Sequence, residues 1–382
     1  MRLRVSPLCV FTWRNGQMVC DDPLGHRQMA LSASAQRLIL QFADWRDPDD
    51  AADPGDDLDP RLVRQLHAAR VLIAEGSAEH RLAESLGPWA QWGTAATYFH
   101  LASRTTGADD FRSAAEDTAW LLEHQADRTQ PPEVKEYADA ARLPLSPCGN
   151  APLAAMGLDA VLRRRRTTRN FDAERPVTEA QLATLLHWLA GVQHRVKSAA
   201  FRPSLLRASP SGGARQSIEV YPVVLNVTGV PAGVYHYHPT AHALEALETG
   251  PVGAEQLVDM CGGQTFLRHA GVVLLYTASL DRAAWKYLTG RTYRTLYMEL
   301  GHFSQTAYLT GTALGLGVVF TAAIRDTAVE ELLGLDWRHE IPCGVTGAGV
   351  PAAAEAARQD AMLHGAPASF SFAGDAWDGL GT

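Results

Sequence analysis

The chain has 382 residues, 46% of them hydrophobic, and a net charge of -8 from 34 Lys+Arg and 42 Asp+Glu. This length predicts two domains rather than one, and a pI near 6.0 gives no general reason to expect nucleic acid. No stretch approaches the roughly 18 consecutive apolar residues of a membrane helix, and the opening MRLRVSPLCVFTW lacks the apolar run of a signal peptide, so the expectation is a cytoplasmic protein with no membrane partner.

The first 80 residues predict a small α/β module of winged-helix type. LCVFTWRNGQMVCD places Asn15-Gly16 between two strand-like runs, a strong hairpin signal. A helix follows over about Ser34 to Trp45, then the loop DPDDAADPGDDLD with seven aspartates. Asp59-Pro60 supplies a cap and a first-turn proline for a second helix, RLVRQLHAARVLI. Arg61, Arg64 and Arg70 fall on that helix, but residues 1–80 carry nine Lys+Arg against twelve Asp+Glu, which is poor for phosphate neutralisation. A peptide- or partner-docking module is the better expectation. Residues 81–150 read as a helical segment rich in aromatics (Trp89, Trp92, Tyr98, Phe99, Trp120), expected to form a joining core. The proline-rich connector PPEVKEYADAARLPLSPCG follows it.

Residues 151–382 read as a second domain. A short helix ends in RRRRTTR, and Thr178 with Gln181 forms a capping box for a helix reaching Leu189. Strands are predicted over 221–227, 233–239 and 270–278, the last apolar enough to be central. A long helix spans 292–314, with Tyr293, Leu296, Tyr297, Leu300, Ala307 and Leu314 on its apolar positions. LGVVFTAAI follows as a strand, and Thr327 with Glu330 caps the next helix. The five cysteines (Cys9, Cys20, Cys148, Cys261, Cys343) are odd in number and form no CxxC or CxxH pair, which argues against a disulfide framework and a metal site.

Four clusters bear on function, and each has a plain structural reading beside it. The arginine run offers guanidiniums and two hydroxyls suited to a phosphate, or else a solvated face. SPSGGAR (209–215) lets backbone approach a flat ligand, or is only a turn. GTALGLG (311–317) ends a helix rather than opening one, so it is no dinucleotide fingerprint. WKYLTGRTYRTLYMELGHFSQ (285–305) is dense in titratable groups.

In order and spacing, RRTTRNF, PSGGARQSIEVYPVV, GVYHYHP with HALEAL, and KYLTGRTYRTLYMELGHFSQTAYLTGTALGLG resemble the SagB-type branch of the FMN-dependent nitroreductase-like flavoproteins, over about residues 125–350. That branch includes dehydrogenases that convert azolines in ribosomally made peptides to thiazoles and oxazoles. The resemblance implies an α+β fold, a central mixed sheet flanked by helices. It implies FMN phosphate on Arg165, Arg166, Thr167 and Arg169, with Arg163 and Arg164 outside the motif. Pro210, Ser211, Gly212 and Gly213 would lie against the isoalloxazine and ribityl chain. Gly315, Gly317, Thr321 and Ala322 would offer backbone to the ring edge, with Gln305 a further contact. Gln216-Ser217 stands where the family often has His-Pro.

Lys286-Tyr287 matches the pair associated with catalysis in azoline-oxidising members. Aromatising an azoline removes a proton and a hydride, so a lysine depressed by burial or by a cation such as Arg291 could act as base, with Tyr287 orienting it. Glu299 and His302 could form a second acid-base pair or a buried polar pair, the latter being favoured. The resemblance also implies a homodimer with FMN at the interface, a peptide or carrier-bound substrate and a partner cyclodehydratase. Alternatives are oxidation of another residue of a modified peptide, an NAD(P)H-driven nitroreductase or quinone reductase, and a non-catalytic scaffold.

Overall fold

The computed structural model describes residues 1–49, 59–105, 112–125, 128–148, 151–197, 204–250 and 252–365. Most of the aspartate-rich loop lies outside them. The chain divides into two compact units, Met1–Phe111 and Arg112–Thr382.

In the first unit, strands Val10–Arg14 and Gln17–Asp22 are joined by Asn15-Gly16, both at positive φ (50° and 76°), as a two-residue hairpin turn requires. Arg27–Ala30 extends this sheet, and Leu3–Val5 pairs with Leu72–Ala74. Helices Ala33–Gln41, capped by Ser32, and Pro60–Ala68, capped by Asp59, close a core of Leu3, Cys20, Leu38, Phe42, Val63, Leu66 and Leu72. The second helix is shorter than expected. Arg70, at φ 62°, lies beyond its end and pairs with Asp22 at 2.9 Å, and Leu72–Ala74 forms strand because Leu3–Val5 offers it a partner. Helix Pro88–Ala102 is kinked at Gly93, and Trp92 on it is 63% exposed.

The second unit is built on a seven-stranded sheet in the order Gly317–Thr321, Glu340–Gly349, Val272–Ser279, Ile218–Val224, Gly233–His238, Ala243–Ala246, Arg142–Pro144. Every pairing in it is antiparallel, not mixed as expected. The reason is topological: the helical crossover after Val272–Ser279 leads to a strand running the same way, but Glu340–Gly349 inserts between the two. Among the described residues, parallel pairing is found between Val227–Thr228 and Val177–Thr178 and at the Thr167–Val318 bridge on the sheet's edge. The edge strand Arg142–Pro144 comes from the segment read as connector.

One sheet face packs on helix Glu179–Ala190, which starts at the Thr178/Gln181 capping box, and on the long helix Thr292–Ala313, through Leu182, Leu185, Leu189, Leu296, Leu300 and Phe303. Tyr293 and Tyr297 turn outward instead, at 43% and 42% exposure. The next helix, Asp326–Leu333, is capped at Arg325, not Thr327. The other sheet face is apolar beneath Leu257, Met260, Val329 and Leu333. At its other end that face carries a buried ionic row. There His236 lies between Glu245 (2.8 Å) and Glu219 (3.2 Å), with Arg282 on Glu219 and Arg142 on Glu245. All five cysteines are free, and no helix among the described residues is long and apolar enough to cross a membrane.

Candidate functional site

The loop Ser209–Ser217 connects strand Ser204–Arg207 to the central strand Ile218–Val224, and the long helix runs beneath it. Four polar residues of that helix, at helical spacing on one face, meet the loop in turn. Gly212 N–H donates to Glu299 Oε1 at 2.7 Å, and a Cβ on Gly212 would stand 3.0 Å from Thr295 Cγ2. His302 Nδ1 lies 3.1 Å from the Pro210 carbonyl, and Ser209 Oγ donates toward Thr306 Oγ1 at 2.9 Å. Glu299 and His302 were singled out in the sequence, whereas Thr295 and Thr306, which continue the stripe with the period of a helix, went unread.

Gly213, at φ 58°, is pressed against the end of helix Leu280–Lys286. A Cβ there would lie 2.6 Å from the Tyr287 hydroxyl and 2.8 Å from Lys286 Nζ. Two candidates from one part of the chain, Gly212 and Gly213, are thus brought onto two from another, Lys286 and Tyr287. Burial pushes the Lys286 ammonium below the usual lysine range, Arg215 pushes it the same way, and Asp117 opposes them. The cationic neighbour is therefore Arg215, not Arg291. Arg215 is held in the loop, donating to the Gly213 carbonyl at 3.0 Å with its guanidinium over the Trp285 ring. Burial pushes the Tyr287 phenol up, as does Asp117.

The arginine run lies farther along the same helix. Thr167 Oγ1 is 3.1 Å from the Tyr308 hydroxyl, the Arg165 guanidinium sits 5.2 Å from the Tyr308 ring centre, and Thr168 N–H donates to the Val318 carbonyl at 2.9 Å. Arg165 and Arg166 are half-buried, while Arg163, Arg164 and Arg169 are exposed. Arg169 lies 5.9 Å from the Phe266 ring centre. Glu299 and Tyr308, which mark the two ends, are about 13 Å apart along the helix axis.

Other candidates have local explanations. Gly315, at φ 71°, follows Leu314, the C-terminal cap of the long helix, and Gly317 leaves room for Thr168, which a Cβ would strike. Thr321 Oγ1 accepts from Ala323 N–H at 3.0 Å, whereas Ala322 and Gln305 are exposed. Ser211 Oγ accepts from Gln216 N–H at 2.8 Å, so Gln216 serves to close the loop.

With this geometry, four similarities bear on the class. The pattern of the nitroreductase family matches residues 162–349. Over 176 residues the chain is 34% identical to a nitroreductase-type protein of Methanocaldococcus jannaschii, covering 46% of this chain and 83% of that one. It is 32% identical over 158 residues to the trifolitoxin-processing protein TfxB of Rhizobium leguminosarum bv. trifolii, covering 41% of this chain and 42% of TfxB. The crystal structure of a nitroreductase-type protein from Anabaena variabilis shares the fold, with TM-score 0.51 and 24% identity over 68% of this chain and 48% of that one. The chain belongs to the nitroreductase family, whose members are in general flavin-dependent oxidoreductases. It spans less than half the length of TfxB and of the Anabaena chain.

Proposed function

We propose that the protein is an FMN-dependent oxidase of peptide natural-product maturation, oxidising azolines to thiazoles or oxazoles. The observation that carries this reading is the seating of Lys286 and Tyr287 directly on Gly213. A generic reductase supplied with hydride by a nicotinamide has no use for a depressed lysine there.

The chain's donor set fits FMN. The half-buried Arg165 and Arg166 with the Thr167 hydroxyl suit a phosphate dianion, Arg169 adds charge, and Gly212-Gly213 form a backbone ledge without side chains. Pro210 and Ser211 precede the ledge. FMN, when bound, supplies the hydride acceptor. Lys286, neutral when its proton is lost, takes the azoline ring proton at Nζ. Tyr287 keeps its own proton because its phenol is pushed up, so it can donate a hydrogen bond that orients the substrate. Arg215 keeps Lys286 from recharging too readily.

Likeness to a toxin-processing protein supports a peptide substrate. On this reading a separate cyclodehydratase supplies the azoline, and the active form is a homodimer. The exposed Tyr293, Tyr297 and Met298 on the long helix support self-association. A nicotinamide-driven reductase is the second reading, favoured by the name of the M. jannaschii relative. The test is the visible spectrum of the purified protein, followed by anaerobic NADH or NADPH. A flavin spectrum that is not rapidly bleached supports the oxidase. Rapid bleaching transfers the conclusion to the reductase, and a colourless protein that FMN does not reconstitute overturns both.

A further inference from the structure

The glycine loop is held in a conformation it would not adopt alone. Gly213, Ala214 and Gln216 all have left-handed φ, at 58°, 54° and 51°, and two of them are not glycine. Such strain persists only where surrounding contacts over-determine it. One closure is internal, Ser211 Oγ accepting from Gln216 N–H. Another comes from the long helix: Glu299, 3% exposed, accepts from Gly212 N–H.

We propose that Glu299 is the positioning residue of this site, clamping the glycine loop from beneath and thereby seating Lys286 and Tyr287. Its carboxyl faces both ends of the loop, with Gly212 N–H and the Ser211 hydroxyl at one end and Ser217 N–H at the other, and Tyr287 lies within electrostatic reach. Around it stand His302, one turn along its own helix, and the buried Arg207, which donates to the Ile218 carbonyl just past the loop. Glu299 Oε2 has no hydrogen-bond partner among the described residues, so its cost of burial is not offset by an ion pair at that oxygen. An apolar residue would fill this position at less cost, but it would leave the part-buried Gly212 N–H without its acceptor. Gly213 then transmits the clamp: its Cα is the surface on which Lys286 Nζ and the Tyr287 hydroxyl rest. The consequence for turnover rests on Lys286 being the base, but the positioning itself does not.

The chain has only three lysines, Lys135, Lys197 and Lys286, so side-chain NMR of lysine-labelled full-length protein gives one titration curve per residue. In Glu299→Ala the Lys286 midpoint is expected to move up toward the ordinary lysine range as solvent enters a loosened seat. Lys135, tied to Glu340 at 2.7 Å, is expected not to move. Glu299→Gln keeps an acceptor for Gly212 and is expected to restore the low Lys286 midpoint. A folded Glu299→Ala protein with an unmoved Lys286 midpoint overturns the proposal. If that variant does not fold, glycine-labelled wild-type protein decides: a Gly212 amide strongly protected from exchange supports the clamp, and one exchanging as fast as an exposed loop amide overturns it. Neither readout depends on flavin or turnover, so failure of the oxidase reading leaves the result interpretable.

Discussion

Lys286 Nζ stands 2.8 Å from the point a Gly213 Cβ would occupy, so a glycine on the loop and a lysine at a helix end share one contact across more than seventy residues of chain. Because Gly213 also has φ 58°, alanine there meets both a collision and a strained backbone. Gly213→Ala is expected to destabilise the protein by roughly 1–3 kcal/mol and to displace Lys286. Thermal unfolding and turnover check this together, and an unchanged melting temperature with full turnover would show that the lysine is not held there.

Lys286→Ala is expected to keep the fold and the bound flavin and lose turnover. On the proposed mechanism the neutral lysine is the active form, so kcat/KM is expected to rise with pH through the depressed Lys286 pKa. Burial is the larger cause and Arg215 the second, so Arg215→Gln should move this acidic limb to higher pH, while Arg215→Lys should leave it nearly in place. A limb that ignores the charge at residue 215 would remove Lys286 from the proton step.

Arg165→Ala and Arg169→Ala are each expected to weaken flavin retention, by about 1.5–3 kcal/mol for a charge-assisted contact. Flavin occupancy after gel filtration measures the effect. Full occupancy in both variants would place the phosphate elsewhere.

His236 offers a stability test remote from the loop. Burial opposes its charge, but hydrogen bonds and attraction from Glu219 and Glu245 outweigh that, and its pKa is raised. The stability it contributes is therefore fully present below the ordinary histidine pKa of about 6.5 and is lost as pH rises through the raised value. Denaturation midpoints should fall over that upper window. His236→Leu should abolish this dependence and cost about 3–5 kcal/mol, because two buried carboxylates each lose one partner and keep their arginine. A midpoint that stays flat in the wild type would mean His236 is neutral.

What the sequence announced was what short-range chemistry decides. Asn15-Gly16 could serve only as a tight turn, the Thr178/Gln181 box opened its helix on the expected residue, and the apolar 270–278 run became a central strand. Long-range pairing was opaque. Arg142–Pro144, amid prolines, is a strand only because Ala243–Ala246 offers it an edge, and Leu72–Ala74 left the helix expected through Ile73 to join Leu3–Val5. The same divide runs through the site. Gly212, Gly213, Lys286 and Tyr287 could be singled out by type and resemblance, whereas the choice of Arg215 over Arg291 as the neighbouring cation depends on a loop folding back on itself.

The insertion of Glu340–Gly349 between Val272–Ser279 and Gly317–Thr321 also governs the order of assembly. Until the ribosome has delivered that strand, Gly317–Thr321 has no neighbour in the sheet, and Thr167 and Thr168, which lean on Val318, have no fixed wall. The glycine loop finds its partners on the long helix, at Glu299, His302 and Thr306, but the helix that carries Lys286 starts from a bond of Leu280 N–H to the His339 carbonyl. The wall behind the arginine run is therefore completed last, and a nascent chain cut short before residue 339 carries the glycine loop with its long-helix partners but neither that wall nor the anchor of the Lys286 helix.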